Sequence, residues 1–325
     1  MPEVLIDIQK LNKKYTLTSG ILNSQDRVVH AVNNVNLKIF GRETLGLVGE
    51  SGCGKSTLAR LITRLEKPSS GFISFKGENI NSYNTESLKA YRRNVQLIFQ
   101  DPYSSLNPRK SASSIIKEPL TIHQIGDRNS RRESVIELMA KVGLSAEQAG
   151  RYPHEFSGGQ RQRIGIARAL ILRPEMIVAD EPVSALDVSI QAQILNLLKD
   201  LKQEYGLTYL FVSHDLNVIR HMSDRIAVMY LGQIVELADN QDIYNSPLHP
   251  YTQMLLAAVP DCDPQKKVKK IAIEGEARIE GAQGCNFQNR CLYKIAVCEE
   301  QQPVLKEIEN NKFCACHLRS IKEEE

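Results

Sequence analysis

The chain has 325 residues, 42% of them hydrophobic, which is enough for one sizeable core and a second small module. Its 41 basic residues nearly cancel its 38 acidic ones, so the net charge of +3 gives no argument for a nucleic-acid surface or a polybasic membrane anchor. No apolar run is long enough to span a bilayer, and the start has no signal-peptide pattern. The chain is therefore expected to be made and kept in the cytosol.

The first part of the chain predicts two kinds of β-structure. Residues 3–15 and 31–40 alternate apolar and polar positions, with the polar stretch SGILNSQDR between them as an inserted loop, so an antiparallel β-subdomain is expected. Residues 44–49, TLGLVG, then predict a buried strand that enters a glycine-rich turn and a helix from Lys55 to about Leu65. The stretches GFISFKG and NVQLIFQ predict further strands of an α/β nucleotide fold.

Helical periodicity follows from Ser113 to Gly150 and predicts a helical insertion. The α/β pattern then resumes with a helix over 158–172, the strand MIVADE, a helix over about 189–204 and the strand TYLFVS. The stretch IAVMYLGQIVEL predicts a strand pair that turns at Gly232 and closes the domain.

The pattern divides the chain into two domains. Residues 1–260 are expected to form the nucleotide-binding domain, with its helical subdomain at about 101–173, and residues 261–325 a cysteine-bearing tail. The stretch DCDPQKKVKK, charged and poor in large apolar residues, suits a linker between them.

A glycine-rich loop stands between the predicted strand at 44–49 and the helix that follows. It matches the Walker A pattern, whose backbone N–H groups surround a β-phosphate. Lys55 is expected to reach the β- and γ-phosphates, and Ser56 to ligate Mg²⁺. The loop comprises Gly49, Glu50, Ser51, Gly52, Cys53, Gly54, Lys55, Ser56 and Thr57.

Two carboxylates end the strand MIVADE. Asp180 is expected to emerge beside the Walker A loop and hold Mg²⁺ through water, and Glu181 to orient or deprotonate the attacking water. An acidic pair after a strand could also be a helix cap, but the upstream Walker A loop favours the catalytic interpretation.

The stretch FSGGQRQR resembles the signature sequence of the ABC ATPases. Ser157, Gly158, Gly159 and Gln160 open a helix there, and free N–H groups with a positive dipole end make a second anion site. The resemblance implies that the signature of one subunit closes over the Walker A site of another, in a head-to-tail dimer with ATP between them. Asp187, in the stretch SALD, resembles the D-loop that links the two sites.

Three more residues complete the set that the resemblance implies. Gln100, ending the strand VQLIFQ, resembles the Q-loop glutamine, which senses Mg²⁺ or the attacking water. His214, ending LFVSH, resembles the switch histidine that contacts the γ-phosphate. Tyr15 is the candidate for the aromatic residue that stacks on adenine, although ordinary β-sheet packing would explain it equally well.

The resemblance covers nearly the whole chain and implies an α/β P-loop ATPase with an antiparallel β-subdomain, a RecA-like core, a helical subdomain and a small cysteine-rich C-terminal module. The stretches QDPYSSLNPR, ADEPVSALDVS and SPLHPYTQMLLAAVP look like the ATPase subunits of oligopeptide and dipeptide importers. ESGCGKST and LNPR resemble the F-type subunit of the pair, which works with a D-type ATPase.

The implied partners are that second ATPase, two transmembrane permeases and, indirectly, an extracytoplasmic solute-binding protein, with the chain peripheral on the cytoplasmic face of the inner membrane. A nickel or oligosaccharide importer would use the same kind of ATPase subunit, because the cargo path lies in other subunits. A soluble ABC ATPase acting in translation or DNA repair is a second class; the near-neutral charge and single nucleotide domain argue against it.

Six of the seven cysteines lie from Cys262 onward, which in a reducing compartment indicates a metal site rather than disulfides. The spacing of Cys285, Cys291, Cys298 and Cys316 lacks the paired knuckles of common zinc sites. It resembles the tails of peptide-importer ATPases that hold a [4Fe-4S] cluster, with zinc as the alternative. Cys314 could replace Cys316 as the fourth ligand; Cys316 is preferred on the resemblance.

Overall fold

The computed structural model describes residues 3–17, 27–258, 283–309 and 311–320. The expected linker at 261–270 and nearly all of the predicted insert SGILNSQDR lie outside these residues. The described strands form two sheets, one of four strands and one of eight.

The four-stranded sheet opens the chain, as the alternating pattern predicts. Its first two strands, β1 (Val4–Leu17) and β2 (Arg27–Phe40), run antiparallel over most of their length. On its other edge β1 pairs with β4 (Ser70–Phe75), and β4 pairs with the short β5 (Glu78–Asn79). The sheet order is β2-β1-β4-β5.

The eight-stranded sheet has a parallel centre. Its parallel strands β3 (Thr44–Val48), β7 (Met176–Asp180) and β8 (Thr208–Ser213) are buried at every position, because neighbours cover both faces of the sheet. Parallel strands β6 (Val95–Ile98) and β9 (Arg225–Tyr230) flank this centre.

The last strands of this sheet are antiparallel. β10 (Gln233–Asp239) returns from β9 through Leu231 and Gly232, whose φ angles of 41° and 81° are those of a tight hairpin turn, as predicted at Gly232. β11 (Lys306–Glu309) and β12 (Lys312–Cys314), from the tail, extend the edge at β10, in the order β11-β12-β10-β9-β3-β8-β7-β6.

Helices pack on these sheets and form the predicted insertion. Asp127 is the N-cap of α5, and its carboxylate accepts the amides of Asn129 and Ser130; Gly206, in the left-handed region, is the C-cap of α7. The helices are α1 (Lys55–Ile62), α2 (Thr85–Asn94), α3 (Pro102–Ser105), α4 (Ala112–Ile122), α5 (Arg128–Lys141), α6 (Gly158–Leu170), α7 (Val188–Tyr205), α8 (Leu216–Met222), α9 (Asn240–Asn245), α10 (Pro250–Ala257), α11 (Val297–Glu300) and α12 (His317–Ser320).

Two hydrophobic clusters lie on opposite sides of the large sheet. One joins the sheet to α4, α5, α6 and α7, so the helical insertion shares its core with the nucleotide fold. The other joins the opposite face to the four-stranded sheet and α1. The large sheet is therefore packed on both faces.

Candidate active site

The glycine-rich loop connects β3 to α1. Gly54 is the N-cap of α1, with φ 108° and no side-chain cap, so the first amides of the helix are left as free donors. A Cβ atom on Gly54 would lie 2.0 Å from the carbonyl oxygen of Ala31, so no other residue fits there without moving β2. The amide of Gly232 donates to the carbonyl of Cys53 at 2.8 Å and fixes the loop from the β9–β10 turn.

Lys55 lies across this loop. Its side chain is buried, and Nζ donates to the carbonyl oxygens of Gly49 and Glu50 at 2.8 and 2.9 Å. The ammonium is therefore held at the mouth of the loop, where phosphate oxygens would be stronger acceptors than these carbonyls.

Ser56 and Asp180 meet where α1 begins and β7 ends. The hydroxyl of Ser56 donates to Oδ1 of Asp180 at 3.0 Å. Burial raises the pKa of Asp180, the nearby Glu181 charge raises it further, and the hydrogen bond from Ser56 opposes both. A hydroxyl beside a carboxylate is a hard-oxygen pair of the kind that Mg²⁺ prefers.

Glu181 lies between Gln100 and His214, two other residues that were predicted for the site. Its Oε2 accepts from Nε2 of Gln100 at 3.0 Å, and its Oε1 lies 3.1 Å from Nδ1 of His214. The structure thus brings Gln100 to Glu181, and β6 ends at Ile98, two residues earlier than expected. The Glu181 backbone adopts φ 46°, and its amide donates to the carbonyl of Val212 at 2.9 Å.

The signature residues open α6. Ser157 is its N-cap: its hydroxyl accepts the amide of Gln160 at 3.3 Å, and the Gln160 side chain accepts the amide of Ser157 at 3.0 Å. A Cβ on Gly158 would lie 3.4 Å from Leu186, so the signature packs on the predicted D-loop. Asp187 is the N-cap of α7. Within the described residues, no hydrogen bond or ion pair joins residues 157–160 to residues 49–57.

Tyr15 lies near the glycine-rich loop without forming part of it. Its hydroxyl is hydrogen-bonded to Glu66 and to Thr57, and the Lys13 ammonium lies 5.0 Å from the ring centroid. Burial, followed by the bond to Glu66, raises the pKa of the phenol. The ring is therefore placed beside the start of α1, and its role toward a nucleotide stays a prediction.

The four tail cysteines chosen from the sequence line one small cavity. Cys285, Cys291, Cys298 and Cys316 come together there, and the amide of Cys285 donates to the carbonyl of Cys298 at 2.8 Å. Cys314 is excluded from the cavity lining, because it is a buried residue of β12 paired with Glu236. Among the residues that the structure describes, no group of three or more metal-ligating side chains is close enough to hold an ion as it stands.

One contact in the site was not predicted from the sequence. Arg290, in the tail, forms two hydrogen bonds of 2.9 Å with the carboxylate of Glu50 in the glycine-rich loop. The Glu50 amide also donates to the hydroxyl of Tyr251 at 2.9 Å. No periodicity or spacing indicates these contacts, since 240 residues separate Glu50 from Arg290.

A glycine-rich loop at the end of β3, a carboxylate pair at the end of β7 in the same parallel sheet and a glycine-opened helix define an ATP-binding cassette ATPase. The ABC transporter family model matches residues 32–184, and the model of the oligopeptide/dipeptide transporter C-terminal region matches residues 235–298. In the part of the chain that is described, no helix is both long and apolar enough to cross a membrane.

The oligopeptide transport ATP-binding protein AppF of Bacillus subtilis (strain 168) is 51% identical over 323 residues, covering 98% of each chain. The dipeptide transport ATP-binding protein DppF of Escherichia coli (strain K12) is 45% identical and covers 97% of this chain and 95% of its own. A solved dimer of the ATP-binding cassette MJ0796, bound to ADP and Pi, is 31% identical with a TM-score of 0.65, over 73% of this chain and 99% of that one. The chain belongs to the family of ATP-binding proteins of oligopeptide and dipeptide ABC transporters.

Proposed function

We propose that this chain hydrolyses ATP at an interface between two ATPase chains and thereby drives uptake of oligopeptides or dipeptides. The observation that carries the proposal is the geometry of Glu181, held by Gln100 and His214 next to the Ser56–Asp180 pair. The names of the relatives, all ATP-binding proteins of peptide transport, support the cargo class. A nickel or oligosaccharide importer is the alternative, because the ATPase does not contact the cargo.

The amides of the glycine-rich loop and the Lys55 ammonium bind the β- and γ-phosphates. Ser56, Gln100 and Asp180, the last through water, would hold the Mg²⁺ that neutralises the phosphate charge. Glu181 accepts the proton of the attacking water; its Oε2 already accepts a hydrogen bond from Gln100, and its Oε1 lies beside Nδ1 of His214. His214 is half exposed and free to turn toward the γ-phosphate. Catalysis is therefore mostly placement and charge stabilisation.

The second half of the site comes from another chain. Ser157, Gly158, Gly159 and Gln160 present a capped, glycine-opened helix that would bind the γ-phosphate of the partner's ATP. The dimeric state of the solved MJ0796 cassette with ADP and Pi supports this arrangement. Asp187 follows Leu186, on which the signature rests, so it would relay the state of one site to the other.

The expected partners are a D-type ATPase, two permeases at the cytoplasmic face of the inner membrane and, indirectly, a solute-binding protein. Two exposed aromatic side chains next to Gln100 support a docking role for this region: Phe99 lies under Arg168, and Tyr103 under Arg161. A surface aromatic pair beside a site residue suits a contact that reports on a partner.

The catalytic role of Glu181 is tested by Glu181→Gln. We expect the turnover of ATP to fall at least about 100-fold while ATP-bound dimers accumulate, because the amide cannot accept the proton. Phosphate release and size-exclusion chromatography with ATP measure the two effects. Glu175→Gln is the matched control, since Glu175 precedes the same strand and pairs with Lys76. Unchanged turnover in Glu181→Gln would overturn the assignment.

We also propose a [4Fe-4S] cluster in the tail, with zinc as the alternative. The fit is chemical: Cys285, Cys291, Cys298 and Cys316 line one cavity, and thiolates are ligands of both metals. Since the thiols are not in ligating positions as they stand, binding would draw them together. The cluster would supply cross-links in a tail with little core of its own.

A Cys291→Ser variant tests the metal. Anaerobically purified protein is expected to be brown, with iron and sulfide that are lost together in this variant. Cys314→Ala is the control, because Cys314 does not line the cavity, and it should keep the full metal content. Stoichiometric zinc without iron would select the alternative, and metal-free wild-type protein would refute both.

A further inference from the structure

The C-terminal tail reaches the phosphate-binding loop through Arg290. Both terminal nitrogens of its guanidinium donate to separate oxygens of Glu50, each at 2.9 Å. The Arg290 side chain is 9% exposed and that of Glu50 38%, so this pair is more shielded than a surface ion pair. A side chain from the tail is thus held directly against the second residue of the loop.

Arg290 is itself held by an aromatic cluster. Its guanidinium lies 6.0 Å from the ring centroid of Tyr230, and Nη2 lies 3.7 Å from the sulfur of Met254. The ring of Tyr230 packs on Tyr251 at 4.6 Å and on Phe287 at 5.4 Å. Phe287 belongs to the tail, so the same cluster anchors the tail and aims the guanidinium.

The cluster also holds the Glu50 backbone, because the hydroxyl of Tyr251 accepts its amide at 2.9 Å. The carbonyl of the same residue accepts from Lys55 at 2.9 Å. Amide, carbonyl and carboxylate of Glu50 are therefore all fixed, two of the three by residues that follow β10. Movement of Glu50 would disturb the Lys55 ammonium directly.

We propose that Arg290 is a positioning residue for ATP binding: it neutralises the Glu50 carboxylate and directs it away from the phosphates. A free carboxylate in a loop that surrounds a triphosphate would repel it, and a bidentate guanidinium removes most of that repulsion. The proposal rests on ATP binding at this loop. It makes the tail part of the nucleotide site of its own chain.

Arg290→Gln tests the positioning role in the full chain. We expect the dissociation constant of a fluorescent ATP analogue, and the KM for ATP, to rise about five- to twenty-fold, with kcat little changed. The loss should shrink at high salt, because its origin is charge repulsion. Lys294→Gln is the control: it removes the tail ion pair between Lys294 and Glu299, at 2.6 Å, and should bind like wild type.

A double-mutant cycle separates positioning from tail folding. In a Glu50→Gln background, Arg290→Gln should change the affinity by less than about two-fold, because the charge that Arg290 opposes is gone. The same loss in both backgrounds, or no loss in Arg290→Gln while wild type binds ATP, would refute the proposal. If Arg290→Gln does not fold, Arg290→Lys must keep at least half of the wild-type affinity for the proposal to stand. Wild type that fails to bind ATP would instead refute the nucleotide site itself.

Discussion

At the scale of single residues, the site depends on backbone positions that few side chains tolerate. Glu181 is in the left-handed region at φ 46°, which costs about 1–3 kcal/mol for a residue other than glycine. Two contacts maintain it: the Glu181 amide donates to Val212, and its carbonyl accepts from the Ser184 hydroxyl at 3.1 Å. The strain turns the carboxylate from the line of β7 toward Gln100 and His214.

His249 gives a pH prediction at this scale. Burial lowers its pKa from 6.5 to about 3, and its Nδ1 accepts the amide of Tyr251 at 3.0 Å as the N-cap of α10. Below pH 6.5 the unfolded chain binds a proton that the folded chain does not, so stability falls as the pH falls toward 3. From about pH 7.5 to about pH 5.5 this histidine should cost about 1 kcal/mol of unfolding free energy.

Chemical denaturation of wild type and His249→Asn at the two pH values measures this cost. Asparagine can cap the helix but does not titrate, so the variant should lose less stability than wild type between the two pH values. Equal pH dependence in both proteins would show that His249 titrates normally in the fold.

At the scale of elements, α6 connects the signature to the core of the molecule. A Cβ on Gly159 would lie 2.5 Å from Cγ2 of Ile190 in α7, whereas a Cβ on Gly165 in the same helix would meet nothing within 4 Å. Two of the three glycines in this helix therefore have different structural reasons for being glycine. Gly159 allows close approach of α6 and α7, and Gly165 only adds backbone freedom.

Alanine substitutions at Gly159 and Gly165 distinguish close packing from backbone freedom. Gly159→Ala should lower the unfolding free energy by about 1–3 kcal/mol, because the methyl group overpacks the α6–α7 contact. Gly165→Ala should raise it by about 0.5–1 kcal/mol, because alanine is the better helix residue. Denaturant melts of both variants give the comparison, and equal effects of the same sign would contradict the packing argument.

The elements were largely predictable from the sequence. Alternation in β1 and β2 and continuous apolar runs in β3, β7 and β8 follow from burial on one face or on two, and the loop motifs follow from phosphate chemistry. The tail was not predictable in the same way. Strand β12 pairs with β10, and β11 pairs with β12, so distant segments meet in a way that short-range patterns do not encode. The proposed division at residue 260 stays a prediction, since residues 259–282 lie outside the description.

The candidate site also has a part that the sequence predicts and a part that it does not. Ser56 and Asp180 meet because parallel strands end at one edge, which the strand order implies. The Glu50–Arg290 pair depends on how an aromatic cluster docks the tail, and neither residue stands in a pattern that points to the other. The motifs in the sequence therefore predicted Ser56 and Asp180 as site residues. They did not predict Arg290, which contacts the loop but is far from it in the sequence.

At the scale of the whole molecule, the proposed function gives one chain half of each of two sites. Its glycine-rich loop is contacted by β2, the β9–β10 turn and the tail. Its signature lies at the start of α6, in the helical insertion that shares a hydrophobic core with the large sheet. Within the described residues no hydrogen bond or ion pair joins the glycine-rich loop to the signature residues. The arrangement therefore suits a pair of chains in which each supplies what the other lacks.

The central claim is that ATP is hydrolysed only between two chains. The most direct measurement is phosphate release per chain over a wide range of protein concentration, with and without the second ATPase subunit. The account predicts that specific activity rises with concentration or with added partner and then saturates. Full specific activity at every dilution, in a species that stays monomeric with ATP bound, would contradict it.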